Sequence, residues 1–445
     1  MTPRDDHPKP VPAKAGIENL KSKMTTRRAF LKAGGLGLVA IGIGGSPLFL
    51  NRTARAAAAP ALFKRRKVLV TLFQRGAMDG LMAVTPFDDP HLKRLRPRLA
   101  MTAARAAGEE ALIDLDGRFG LHPALRALAP YFEEGRLAIV HGVGSPNTTR
   151  SHFDAQDYME TGTPGRKGTA SGWLNRAVGL MGHDATPFQS VALTPSLPRA
   201  LYGAAPALAI SNLDDFDMKG AGAMGGGPTT GQSLEALYQQ TSQDLLRGAG
   251  GETFEAMRVL ESVRKQAYRP ANGAQYPDSP LGTSLRQIAQ LIKADVGLEV
   301  AFAESSGWDT HVQQGAARGT FARQANNLAQ AVAAFWIDLG PLQDDVTFMT
   351  MTEFGRTVAE NGSGGTDHGR ASCLFVLGNT VDGGRLHGTV PELTPENLED
   401  RRDLPVTTDF RAVFAEVAGK HLGIAQDDAL FPGWQGARIP LLKGV

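Results

Sequence analysis

Cysteine is almost absent from this chain, with one residue, Cys373, among 445. That excludes a disulfide framework and a cysteine-rich zinc or iron–sulfur site. Any metal would have to be held by imidazole and carboxylate. No repeat of solenoid or propeller length is visible. Beyond an N-terminal stretch, no apolar run is long enough to span a bilayer. The chain also lacks a basic stripe. Its formal charge of +2 is misleading, because the first 56 residues hold 10 Lys/Arg and 3 Asp/Glu. The remaining 37 basic and 42 acidic residues give a net charge of about −5, which argues against nucleic acid as a partner. What is present is ample apolar material, 42% of the chain, enough for one large α/β domain or two smaller ones. Gly (52) and Pro (27) make it loop-rich without reaching disordered composition.

The N-terminus carries its own signal. Residues 26–32 read TRRAFLK, with Arg27 and Arg28 ahead of Phe30, Leu31 and Lys32. An apolar, Gly-rich run follows over 33–50, and Ala54–Ala56 and Ala56–Ala58 both fit a small-residue cleavage pattern. This segment resembles a twin-arginine signal peptide over 24–58. That resemblance implies folded export through the twin-arginine translocase, a periplasmic or secreted location, and no stable membrane span after cleavage. A membrane anchor is the alternative, but about 18 residues interrupted by glycines and Pro47 are at the short end for a span. Residues 1–23 read as a disordered leader, or as sequence upstream of a true start at Met24.

Along the rest, short β-rich runs at 67–73, 136–142, 297–304, 345–352 and 371–378 alternate with helical spacing at 122–134, 151–162, 171–182, 283–294, 319–340 and 408–422. Residues 232–267 also look largely helical, after a Gly-rich insertion near 217–231. Ser171 is a plausible N-cap and Gly162 a helix stop. This alternation predicts an α/β fold, a mostly parallel sheet with helices on both faces. In such sheets ligands sit beyond the C-terminal ends of the strands.

The polar clusters fall at those ends. Asp309 and His311 follow one expected strand, Glu353 ends another, Asp79 lies in the first post-strand loop, and Asp367 and His368 precede the run at 371–378. His, Asp and Glu converging on loop ends suit a metal. Each residue alone has a plainer reading: Asp309 as a turn cap, His311 as a satisfied surface histidine, Asp367 as part of a tight turn. Thr148, Thr149 and Ser151 lie at a strand-to-helix turn where backbone N–H groups could receive an anion, and each is a candidate nucleophile or a simple cap. Arg150 and Arg356 are candidate anion binders. Trp173 and Trp308 read as packing, though Trp308 could line a cleft. Cys373, inside an apolar strand, reads as inert.

Two resemblances follow from these residues. The stretches FQRGAMDGL (73–81), SHFDAQDYMETG (151–162), GWDTH (307–311), TEFGRT (352–357) and DHGR (367–370) are similar to the bacterial domain of unknown function 1501 family. More distantly, 68–81, 122–162 and 348–378 resemble the opening strand, nucleophile turn and late His of the alkaline phosphatase and sulfatase superfamily. Together these likenesses imply a single alkaline-phosphatase-like domain over 65–440, and the second implies two metals with a hydroxyl nucleophile between them and an anionic ester substrate. Departures are visible: Gln74 and Arg75 stand where an acidic ligand is usual, leaving Asp79. Gly144 falls near the nucleophile in one register. Glu353-Phe354 stands where Asp-His is usual, and no C-x-P-S-R occurs. Asp309, His311, Glu353 and His368 are then the expected ligands, with Asp367 a ligand or an orienter. A set richer in oxygen than nitrogen would suit Mg²⁺, Ca²⁺ or Mn²⁺ at least as well as Zn²⁺. The expectation is an exported metal-dependent hydrolase of phosphate or sulfate esters, or else a non-catalytic envelope-binding module on the same fold. The export half has its own check: changing both Arg27 and Arg28 to Lys should leave unprocessed precursor in the cytoplasm, and normal processing of that variant would contradict it.

Overall fold

The structure, a computed structural model, describes residues 66–101, 108–183, 186, 188–213, 259, 262–263 and 268–443, together with the backbone of 40–41. The leader, the twin-arginine segment apart from the backbone of 40–41, the Gly-rich insertion near 217–231 and most of the helix expected over 232–267 lie outside the described residues. Among those described, no helix is long and apolar enough to cross a membrane.

The main sheet is built from β1 (Val68–Gln74), β5 (Leu137–Gly144), β6 (Ser190–Ala192), β7 (Leu208–Ala209), β8 (Val300–Ser305), β9 (Val346–Met351), β10 (Ser372–Leu377), β11 (Leu386–Gly388) and β12 (Thr408–Asp409). Their order is β7-β6-β8-β1-β9-β10-β5-β11, with β12 also pairing β5 and residues 40–41 flanking β7. The run β7 to β9 is parallel, and β11 and β12 are parallel to β5. Strand β10 alone among these runs antiparallel to its two neighbours. A small antiparallel sheet is formed by β2 (Val84–Pro86), β3 (Ile113–Asp114) and β4 (Phe119–Leu121).

Central strands of such a sheet are covered on both faces, so they read as unbroken apolar runs. All seven residues of β1 are buried. Alternate side chains enter opposite layers: Val68, Val70 and Leu72 join one core with the inner faces of α6 (Pro280–Lys293) and α7 (Thr320–Leu339). Leu69 and Phe73 join the other with α5 (Trp173–Leu180) and α8 (Phe410–Leu422). Each fully buried Phe or Leu here contributes about 2 kcal/mol or more through burial. Both Trp173 and Trp308 are buried, as packing would have it. Helix boundaries follow local chemistry. Ser279 caps α6 by accepting from the Gly282 N–H, with Pro280 in the first turn. Gly423, in the left-handed region, ends α8. The helix expected over 122–134 is instead a 3-10 segment, Pro123–Leu128, running into the short α3 (Ala129–Glu133), because Pro130 lacks the N–H that would continue the first turn.

Three histidines are buried as neutral rings. In each, Nε2 donates to a backbone carbonyl: His122 to Ala316, His141 to Val84 and His421 to Val68. Their Nδ1 atoms meet the Ala124 N–H, the Gly142 N–H and the Thr347 hydroxyl. Burial lowers all three pKa values to about 4. Because the folded value lies below the unfolded value near 6.5, their stabilising contribution is complete above that value and is lost as pH falls through the window down to 4. By pH 5 the loss should be roughly 2 kcal/mol for each ring. We expect Tm to fall steeply between pH 6.5 and 5, and His421→Gln to lessen the slope by about a third, since one of three proton-linked rings is removed. A Tm unchanged across that window would contradict the assignment.

Candidate metal centre

The ends of β1, β5, β8 and β9 lie on one edge of the sheet, and β10, being antiparallel, begins on that same edge. A wholly parallel sheet would require the Gly-rich loop 361–366 to carry His368 back across the edge. The reversed strand removes that need. The result gathers His152 at the start of α4 (His152–Thr161), Asp309 and His311 after β8, and His368 just before β10.

Three imidazoles meet there. His368 Nε2 lies 3.0 Å from His152 Nε2 and 2.8 Å from His311 Nε2. Asp309 completes the group, with Oδ2 3.7 Å from His152 Nε2 and Oδ1 3.1 Å from His311 Nε2 and 3.6 Å from His368 Nε2. The opposite nitrogen of every ring is occupied by an acceptor. His152 Nδ1 donates to Glu353 Oε1 (2.8 Å), His311 Nδ1 to Asp367 Oδ1 (3.0 Å) and His368 Nδ1 to the Arg150 carbonyl (2.8 Å). In its neutral form each ring has one proton, so with Nδ1 donating, the Nε2 of each is the bare nitrogen, and His368 Nε2 then meets the other two lone pair to lone pair. Lone pairs at that distance repel unless they share a cation. Nitrogens on one tetrahedral ion with 2.0–2.1 Å bonds stand about 3.3 Å apart, close to what is seen. His152, Asp309 and His368 offer donor atoms within 4.8 Å of one another, so the donor set fits a divalent ion.

Charges around the centre are set by the same contacts. Burial pushes the His368 pKa down; the bond to the Arg150 carbonyl opposes this, but the neighbouring His152, Arg356 and His311 add to the lowering. Burial alone would raise Glu353 and Asp309, but the bonds from His152 and Gln156 to Glu353, and from Arg356 to Asp309, outweigh it and hold both carboxyls below their ordinary values. Asp367 is likewise lowered, first by the Asn361 amide and then by His311. Glu353 is fully buried and also accepts from the Gly76 N–H and Gln156 Nε2, both at 2.9 Å. Gln156 in turn accepts from Arg75, which is paired to Glu160 and Glu304. Gly76 has a φ of +114°, and a Cβ there would stand 2.5 Å from the Asp309 backbone N, so only glycine allows the loop after β1 to lie against the loop after β8.

The sequence-predicted residues divide into groups. Asp309, His311 and His368 come together as donors. Glu353 and Asp367 stand behind them, each orienting a ring, an arrangement typical of carboxylates that hold metal-binding histidines. The structure does not place Asp79 among the donors. Its carboxylate caps α1 (Gly80–Ala83) and is engaged by Arg96 at 2.8 and 3.1 Å and by Gln314 at 2.7 Å. Nor is Arg356 a free anion binder: it is buried and donates to the Ala77, Gly76, Thr366 and Trp308 carbonyls and to Asp309. Arg150 pairs with Asp403 and Asp400. Thr148 and Ser151 are exposed, and Thr149 is half-buried, its Oγ1 accepting from the Ser151 N–H. Ser151 occupies the N-cap of α4 without a side-chain capping bond. Sequence reasoning missed His152. The available signal was a histidine opening a helix directly after a strand, at the favoured edge.

Fold and site together define a mixed α/β protein with a histidine–aspartate cluster at the C-terminal edge of its sheet. A family model described as "Protein of unknown function (DUF1501)" matches residues 137–431, about two thirds of the chain, and the protein belongs to that family. The match spans every residue of the cluster. Among curated proteins, none matches the chain. The assignment of Asp79 has a direct consequence. Asp79→Ala leaves Arg96 buried without its counter-charge and should cost about 3–5 kcal/mol. Denaturant unfolding should show that loss equally in the presence of divalent metal and of chelator. A loss seen only with metal present would return Asp79 to the centre.

Proposed function

We propose that the protein is a metal-dependent hydrolase of phosphate or sulfate esters, exported by the twin-arginine route to work in the periplasm or beyond. One observation carries the reading: His152, Asp309 and His368 bring donor atoms within 4.8 Å of one another, His311 Nε2 lies 2.8 Å from His368 Nε2, and the Nδ1 of every ring is turned outward to an acceptor. With His152 included, the donor set is richer in nitrogen than four sequence-picked residues implied. That moves the preference from Mg²⁺ or Ca²⁺ toward Zn²⁺, with Mn²⁺ next.

A divalent ion bound there would polarise an ester oxygen and make a water or hydroxyl a better nucleophile at neutral pH. The chain's own part is positioning. Glu353 and Asp367 fix the tautomers of His152 and His311, and Arg356 holds the Asp309 carboxylate. Ser151 places an exposed hydroxyl at the N-terminus of α4, one residue from His152, where unpaired N–H groups favour an anionic group. The distant resemblance to alkaline phosphatases and sulfatases supports the reaction class, since its hydroxyl-bearing turn and its late His map to the residues around 145–151 and to His368.

A second reading, a non-catalytic binding module, is favoured by one fact: Arg150 and Arg356 are both engaged by carboxylates, so neither is free to neutralise a substrate anion. The two separate by experiment. Protein purified without chelator should carry bound Zn²⁺ or Mn²⁺ and hydrolyse 4-nitrophenyl phosphate or sulfate. His368→Ala should lose the metal, and Glu353→Gln should weaken its affinity about 10–100-fold. Metal without hydrolysis would favour the binding module. No bound metal, together with no thermal shift on adding Zn²⁺, Mn²⁺, Mg²⁺ or Ca²⁺, would overturn both the ion and the hydrolase.

A further inference from the structure

His368 is the donor common to both short nitrogen–nitrogen approaches, so its ring orientation sets the geometry of the whole cluster. Two contacts hold it. Its Nδ1 must donate to the Arg150 carbonyl, because a carbonyl can only accept, and in the neutral ring this makes Nε2 the bare nitrogen. Its own carbonyl accepts from Arg402 Nη2 at 2.5 Å. Arg150 belongs to a loop between β5 and α4, and what fixes that residue is its guanidinium, bound by Asp403 Oδ2 at 2.6 and 3.2 Å and by Asp400 at 3.2 Å.

Both restraints therefore originate in one turn over thirty residues downstream. Residues 399–403 close on themselves through Glu399 N–H to the Asp403 carbonyl and Asp403 N–H to the Glu399 carbonyl, each 2.9 Å. Asp400 and Arg401 are both in the left-handed region, with φ of +52° and +57°, which costs energy for residues other than glycine. The turn is tied to the segments on either side of His368: the Val358 N–H donates to the Arg402 carbonyl, and Arg370 pairs with Glu399 at 2.8 Å. Asp403 is fully buried and Arg402 partly exposed.

We infer that the turn 399–403 is a clip that sets the tautomer and aim of His368, with Arg402 and Asp403 as positioning residues for the centre. Arg402 grips the backbone of His368 from one side. Asp403, through Arg150, supplies from the other the carbonyl that takes the Nδ1 proton. Partners of this kind behind metal-binding histidines alter metal affinity without touching the ion. The inference rests on the metal reading for its affinity consequence, but the tautomer it assigns does not depend on any ion.

The test uses the full-length mature protein and the variants Arg402→Ala, Arg402→Lys and Asp403→Asn. The first readout needs no metal. In chelator-treated protein, long-range ¹H–¹⁵N imidazole spectra should show His368 wholly as the Nδ1–H form in the wild type and as a mixture of tautomers in Arg402→Ala and Asp403→Asn. The second is titration with Co²⁺ alone. Affinity should fall about 10–100-fold in Arg402→Ala, with a changed visible absorption band, an unaltered Tm and partial recovery in Arg402→Lys. A wild-type His368 protonated on Nε2, or a tautomer unmoved in both variants, overturns the clip. Identical Co²⁺ affinity and spectrum in wild type and Arg402→Ala also overturns it. If the wild type binds no Co²⁺ while the tautomer shift appears, the clip stands and the metal reading fails.

Discussion

The guanidinium of Arg356 is the contact on which the site depends. It is buried among four backbone carbonyls and one carboxylate: those of Gly76 and Ala77 after β1, Trp308 after β8, Thr366 before β10, and the side chain of Asp309. A planar group with five donors is suited to this in a way that a lysine ammonium is not. Loops at a strand edge carry carbonyls that no ladder satisfies, and a buried unsatisfied carbonyl is costly. Arg356 answers several at once. In doing so it fixes the distance between loops whose strands are neighbours in the sheet but far apart in sequence.

Around that anchor the centre is layered. Inside are three Nε2 atoms and Asp309; behind them are Glu353, Asp367 and the Arg150 carbonyl; behind those are Gln156 with Arg75, Asn361, and the turn 399–403. Each layer decides one property of the layer in front. The innermost carries the donor atoms, the next decides which nitrogen of each ring is bare, and the outermost holds the second in place. The centre is partly open to solvent, with Asp309 and Asp367 about half exposed. Of the groups that orient it, Glu353 and Asp403 are fully buried.

The antiparallel strand β10 is what lets a late residue reach this edge. Glu353 leaves β9 and His368 enters β10, so the whole excursion between them begins and ends on one side of the sheet. Gly355 and Gly369 sit where that excursion crosses itself. An added Cβ would stand 1.8 Å from the Ala371 carbonyl oxygen at the first and 2.4 Å from the Arg356 carbonyl at the second. The family match spans all of this region.

What the sequence determined by itself was the alternation of elements and the identity of most donors. The runs at 67–73, 136–142, 345–352 and 371–378 became strands within a residue or two, because unbroken apolar stretches of that length must be buried on both sides. Asp309, His311 and His368 were legible because each flanks a strand. Only the tertiary structure decided direction and partnership. No local pattern distinguishes a parallel from an antiparallel buried strand, so the reversal of β10 could not be read. His152 was hidden because a histidine at a helix start looks the same whether it faces solvent or a centre, and its role depends on Glu353, 201 positions away. Asp79, Arg150 and Arg356 each had the right chemistry, but a charge is claimed by whichever opposite charge the fold brings nearest. Here those were Arg96, Asp403 and Asp309.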